Sequence, residues 1–248
     1  MKSPDPVSVE ATKDLPISAG TDRELIDRAL RWSELFRSWP DEARAPLVAG
    51  AWLRRYSRLE QVLAHNRQAR ELMAVVSGCL EVGCVDADGR KFVHGLLGPG
   101  HVAGVVRLLE DEPLPYSYQA HEDSVIVHLG CDDVLAVLEA QPQLWREVAH
   151  LGLLRQRYSL SSLHERVLGG IPQRLAAKLL RLADFYGYSE PEGLVLRVRL
   201  SQHDLAAMLG VSRQTINREL GALIEQGIID ARYNCIVIKD LRRLQELT

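Results

Sequence analysis

The stretch SQHDLAAMLGVSRQTINRELGALIEQG, residues 201–227, leaves the chain few ways to fold. Apolar residues recur at helical spacing on both sides of Gly210: Leu205 and Leu209 before it, Ile216 and Leu220 after it. Gly210 supplies the positive φ of a tight turn, and Ala206 is small where a second helix has to come close. Ser201 is a candidate N-cap, with Asp204 where a standard capping box carries Glu or Gln, and Ser212 can cap the second helix. The spacing therefore predicts two short helices crossing over a turn, a helix-turn-helix. The second helix carries Arg213, Gln214, Asn217 and Arg218 on its outer face near its start. Arginine suits guanine O6 and N7, and glutamine or asparagine suits adenine. A merely solvated hairpin has no need of that set. The following GIIDARYNCIVIKD predicts two strands around Arg232-Tyr233-Asn234, a wing in which Arg232 can meet phosphate.

Upstream, residues 22–60 read as short helices, with Leu25, Ile26, Ala29 and Leu30 on one face. From 71 to 130 the pattern changes to short β-rich runs. Asp88-Gly89 between CLEVGCV and KFVHGLL is a hairpin signal, and the strand spacing suggests a sandwich or roll. From Asp132 to Gly169 the period is helical, and Pro142 suits the first turn of the longer helix. That helix carries two apolar stripes, Leu144, Val148, Leu151 and Tyr158 on one side, Leu153, Leu160, Leu163 and Val167 on the other. Two stripes mean either a central core helix or a helix that packs on its own domain and also pairs with a second subunit. GGIPQ (169–173) reads as a hinge, and Gly187 as the stop of the helix after it. The expected fold class is α+β. Its parts are a tail at 1–21, expected to be disordered, a β-roll with flanking helices at 22–131, a helical region at 132–169 and a winged helix-turn-helix at 170–248.

Composition constrains the chemistry. Residues 171–248 hold 11 basic and 9 acidic side chains against 19 and 24 in residues 1–170, a mild asymmetry that permits a polyanionic partner at the C-terminal end. Cys79, Cys84, Cys131 and Cys235 show no CxxC spacing, which fits reduced thiols in a cytoplasm. No run approaches 18 apolar residues and the start has no apolar signal core, so neither a membrane span nor a secretory leader is expected. Paired carboxylates or a nucleophile–base set do not emerge, and no enzyme is expected.

A β-roll, a long helix, a hinge and a winged helix-turn-helix with SRQT…R together resemble the cyclic-AMP receptor protein/FNR family of bacterial transcription regulators. The resemblance covers roughly residues 30–240 and is strongest over 171–239. It implies a cyclic-nucleotide-binding-like jelly roll and a homodimer paired through the helix at 142–167. Double-stranded DNA at a palindromic site and RNA polymerase are the implied partners. The family's recognition helix reads SRETV.R, which places base contacts on Arg213, Gln214 and Arg218 and, for Ser201, Gln202 and Thr215, contacts to the DNA backbone. Gln214 replaces the usual glutamate, exchanging a preference for cytosine for one compatible with adenine.

The resemblance breaks at the effector site. Relatives that bind cyclic nucleotides carry GE and then RS or RT about ten residues later. Here AGVVRLLEDEPLPYS keeps Gly104 and Ser117, but Val105 stands for the glutamate and Tyr116 for the arginine. A cyclic phosphate buried without a charge partner loses about 2–5 kcal/mol, so neither cyclic AMP nor cyclic GMP is expected in the usual manner. Arg107 is an alternative anion partner. No other cofactor or metal is expected, because no cysteine precedes residue 79 and His94, His101, His121 and His128 lack a ligand pattern. The rival readings are a constitutive regulator with a degenerate sensor, a haem- or redox-responsive regulator, and a cupin-like small-molecule-binding protein.

Overall fold

The computed structural model describes residues 21–63, 70–232 and 235–248. The expected tail falls almost wholly outside these residues, as do Tyr233 and Asn234 at the tip of the wing. The chain forms two compact units, and apart from Arg90–Val93, which group with the C-terminal one, the division falls inside its longest helix, between Ser159 and Leu160.

In the first unit, α1 (Asp22–Trp32) starts from a capping box in which Thr21 and Glu24 bond each other's backbone. Next come α2 (Asp41–Gly50) and eight strands: β1 (Trp52–Tyr56), β2 (Gln61–Leu63), β3 (Glu71–Ser77), β4 (Leu80–Val85), β5 (Lys91–Leu97), β6 (Val102–Ala103), β7 (Ser117–Ala120) and β8 (Ser124–Gly130). They form two four-stranded sheets, β1-β8-β3-β6 and β2-β7-β4-β5. The Asp88-Gly89 hairpin is present, with Gly89 at φ 77° and its N–H on the Asp86 carbonyl. Residues 52–56 correct the helical expectation for 22–60. They are a strand paired with β8 in the register Trp52–His128 to Tyr56–Ser124, since WLRRY continues a sheet edge where no amphipathic stripe runs on from α2.

Strands β3 and β8 explain why the roll reads as apolar runs. Leu72, Ala74 and Val76 join Val125, Val127 and Leu129 in a core shared with α1, α2 and the helices that follow. Met73, Val75 and Ile126 face the other way, into a core with Val62, Leu80, Tyr118 and Ala120. Both faces of these central strands are buried, so polar alternation disappears. After the roll come α3 (Cys131–Ala140), a 3-10 turn at Pro142–Leu144 and α4 (Trp145–Leu168). The two stripes of α4 meet different fates. Leu144, Val148 and Leu151 are buried, whereas Leu153, Leu160, Leu163 and Val167 are exposed, Val167 to 69%. Tyr158, grouped with the first stripe by spacing, is exposed too, because it lies beyond the reach of that core.

In the second unit, α5 (Ile171–Tyr186) begins at Gly170 with Pro172 in its first turn. Gly187 stops it at φ −76°, not in a left-handed cap. Glycine is required there because an added Cβ would meet the Ala183 carbonyl oxygen. Then come β9 (Gly187–Glu190), β10 (Gly193–Leu196), α6 (Gln202–Leu209), α7 (Arg213–Glu225), β11 (Ile229–Arg232), β12 (Cys235–Ile238) and α8 (Leu241–Glu246). Their sheet order is β11-β12-β10-β9. Within the run LVLRVRL (194–200) strand β10 ends at Leu196, and its partner β9 lies in YGYSE, which carries no strand signal. The wing is the β11–β12 pair, with Arg232 opposite Cys235.

Candidate nucleic-acid interface

The helix-turn-helix is assembled by local chemistry. Ser201 caps α6 and forms a complete capping box with Asp204: the hydroxyl accepts from the Asp204 N–H at 3.2 Å, and the carboxylate accepts from the Ser201 N–H at 2.8 Å. The shorter aspartate therefore serves where Glu or Gln is usual. Gly210 ends α6 at φ 65° and ψ 41°, and the N–H groups of Gly210 and Val211 both reach the Ala206 carbonyl. That double bond closes the turn and aims the chain at the next helix. The Arg174 guanidinium donates to the Leu209 carbonyl, holding this turn to α5. Ser212 then caps α7 by accepting from the Thr215 N–H at 3.1 Å, and its hydroxyl lies 2.9 Å from the Thr215 hydroxyl.

With both ends pinned, α7 sorts its side chains as its period dictates. Ile216, Leu220 and Leu223 are buried, and Arg213, Gln214, Asn217 and Arg218 are exposed. Thr215 and Gln202 are partly buried. The face is linked by hydrogen bonds: Arg213 Nε donates to Gln202 Oε1 at 3.3 Å, and Gln202 Nε2 donates to Asn217 Oδ1 at 2.9 Å. Arg218 pairs with Glu219 at 2.8 Å while its own side chain stays 73% exposed. Glu219 is largely buried at 13% exposure and anchors the guanidinium, whose remaining donors face outward toward a phosphate or a base. Every expected contact residue from Ser212 to Arg218 thus stands on one short helical segment, with Ser201 and Gln202 on the first turn of α6. Arg232 ends β11, but its side chain lies outside the described residues. Reading the sequence by motif missed the Gln202 and Glu219 partnerships. Only the crossing of the two helices brings residues 202, 213 and 217 together.

The effector region is built from different chemistry. Gly104 holds φ 85° at the head of a 3-10 turn over Val105–Leu108, and an added Cβ would meet the Glu71 carbonyl oxygen. Arg107 is fully buried and donates to the Asp111 and Glu112 carbonyls, so its charge holds its own loop. Arg70 clamps the same loop by donating to the Arg107 and Leu108 carbonyls at 3.1 and 3.0 Å. Tyr116 packs edge-on against Tyr118 and His94, with centroids 5.7 and 5.9 Å apart. The Tyr118 hydroxyl, raised well above the usual phenol range chiefly by burial, also bonds Tyr116 and the backbone of Gly104. Ser117 donates to the Gly83 carbonyl at 3.4 Å. Tyr118 therefore joins the Gly104 turn to Tyr116, a role the motif comparison did not reveal.

His94, His101, His121 and His128 have partners within the protein. His128 lies between Tyr56 and Glu71, 2.9 Å from each, His121 is 3.5 Å from Glu81, and His101 is 3.0 Å from the Gly98 carbonyl. Burial lowers the His101 pKa below its usual value and raises the Cys131 thiol to about 11, where little reactive thiolate exists.

A winged helix-turn-helix whose recognition helix exposes Arg213, Gln214, Asn217 and Arg218, carried with a nucleotide-binding type of β-roll, defines a class of DNA-binding regulators. Residues 173–247 match the Crp-like helix-turn-helix domain, and residues 53–141 match the cyclic nucleotide-binding domain. The chain belongs to the Crp/Fnr family of transcription regulators. It is similar to the CRP-like cAMP-activated global transcriptional regulator of Mycobacterium tuberculosis, 24% identical over 88% of this chain and 98% of that protein. The Cyclic AMP receptor protein of Thermus thermophilus is 27% identical over 78% of this chain and 87% of its own. Among solved structures, FixK2 from Bradyrhizobium japonicum shares the fold, with a TM-score of 0.71 at 21% identity, over 79% of this chain and 96% of that one. No helix among the described residues is long and apolar enough to cross a membrane.

Proposed function

We propose that the protein is a homodimeric, sequence-specific regulator that binds a palindromic DNA site and does not respond to cyclic AMP or cyclic GMP in the usual manner. The observation that carries the DNA reading is the capped start of α7, where Arg213, Gln214, Asn217 and Arg218 stand exposed together over a buried Ile216 and Leu220. Two arginines suited to guanine flank the amides of Gln214, suited to adenine, and Asn217, on a helix end that also attracts phosphate. The exposed stripe Leu153, Leu160, Leu163 and Val167 supports pairing of two copies through α4. Such a dimer would meet half-sites about one helical turn apart.

Against a cyclic nucleotide stand Val105 and Tyr116, which offer neither a carboxylate for a ribose nor a guanidinium for a phosphate, and Arg107, whose guanidinium is engaged by two carbonyls. The same observations favour a second reading, a constitutive regulator: the Tyr116 ring, standing for the family's arginine, packs between His94 and Tyr118. In both readings the protein works in the cytoplasm with RNA polymerase as the eventual target of regulation, and it catalyses no reaction. Selection of fragmented genomic DNA by the purified full-length protein, without added nucleotide, tests this. Recovery of a two-fold symmetric motif is expected, and recovery of DNA without any shared motif would overturn the assignment.

A further inference from the structure

We propose that Gln202 decides which hydrogen-bonding group Asn217 offers to DNA, and so sets base preference at one position through a neighbour. The inference rests on the base-reading role given to α7 above.

The argument starts from donors and acceptors. The Arg213 guanidinium has only donors, so the Gln202 atom 3.3 Å from its Nε has to be the carbonyl oxygen. That fixes the Gln202 amide and sends its N–H2 toward α7, where it lies 2.9 Å from Asn217. A donor there has to be met by an acceptor, so Asn217 turns its Oδ1 to Gln202. The chain of bonds runs one way, Arg213 to Gln202 to Asn217, and reversing any link would bring two donors or two acceptors head to head. Asn217 is exposed, and among the described residues its amide N–H2 is the group left uncommitted.

A presented N–H2 favours an edge of acceptors, such as guanine O6 and N7 or thymine O4. It disfavours cytosine, which shows an amine in the major groove. The bidentate adenine contact of an unconstrained asparagine needs the amide oxygen turned to the base as well, and here Gln202 turns that oxygen toward α6. Gln202 is therefore a positioning residue that acts across the turn. A simple phosphate contact by Gln202 would add affinity evenly for all sequences.

Gln202→Glu separates the two roles. The new carboxylate still accepts from Arg213, but it can no longer donate, so the Asn217 amide has to turn over and present its oxygen. Full-length wild type, Gln202→Glu and Gln202→Ala are each used to select from a randomised duplex library at one salt concentration, after equal thermal unfolding temperatures establish that all three fold. With Gln202→Glu, preference at one base pair of each half-site is expected to move about tenfold, from acceptor-rich bases to cytosine or adenine. The positions read by Arg213 and Arg218 should stay unchanged. With Gln202→Ala, the same base pair should lose its preference. If wild type recovers a motif and both variants recover the identical one, merely bound more weakly, this proposal falls alone. If wild type recovers no motif, the base-reading role of α7 falls and takes the proposal with it.

Discussion

The reading helix and the effector region make opposite use of polar side chains. Around α7, four polar side chains are exposed, Arg213 and Asn217 joined through Gln202, on helices pinned by Ser201, Gly210 and Ser212. Around Gly104, the charged group that could meet a ligand, Arg107, is buried with its terminal nitrogen on loop carbonyls, while Tyr116 packs between His94 and Tyr118. One region displays its polar side chains to solvent, and the other turns its buried guanidinium to backbone carbonyls. On the function proposed above, the architecture keeps its output while the chemistry of its input differs.

Three perturbations break or sharpen that contrast. The largest effect is expected from Leu160→Glu combined with Leu163→Glu on the exposed stripe of α4. Charge there should leave a folded monomer in sedimentation and lower affinity for the selected site by roughly 10²–10⁴-fold, the loss of linked half-sites. Undiminished affinity would separate DNA reading from pairing through α4. Next, Arg213→Ala and Arg218→Ala should each cost about 1–3 kcal/mol of specific binding in a titration against the selected duplex. Non-specific binding and the unfolding temperature should change little, because both side chains are exposed.

A smaller effect concerns stability. Lys178 on α5 has its pKa lowered to about 8, chiefly by burial and then by Arg181, with Glu165 opposing and Arg166 and Arg174 adding. Its unfolded value is near 10.5, so below about pH 8 both states carry the charge and the folded state bears the full cost. Between about pH 8 and 10.5 the unfolded chain binds more protons, and the cost is relieved as pH rises. Lys178→Met should accordingly stabilise the protein by on the order of 1–3 kcal/mol in denaturant titrations at pH 7. The gain should vanish above about pH 10.5.

How much of this was legible in the sequence differs by region for physical reasons. The helix-turn-helix is a local structure whose caps, turn glycine and apolar spacing all lie within 27 consecutive residues, so each can be assigned from the chain alone. Asp204 completing the capping box and Gly210 in the left-handed region follow that local logic. The roll is non-local. Strand β1 gains its identity from β8, more than sixty residues away, and WLRRY shows no alternation strong enough to declare it. Strand β9 is visible only through β10. At the candidate sites, Gly104, Val105, Tyr116 and Ser117 can be placed by motif, but Tyr118, which joins them, cannot. Likewise Gln202 carries no sign of Arg213 and Asn217 until the helices cross.

The proposed function joins base reading by α7 to a lack of response to cyclic AMP. Its most direct test is the affinity of the full-length protein for its selected duplex, measured by fluorescence anisotropy with and without saturating cyclic AMP. The account predicts the same affinity in both conditions. A rise of tenfold or more, equivalent to about 1.4 kcal/mol of coupling, would contradict it.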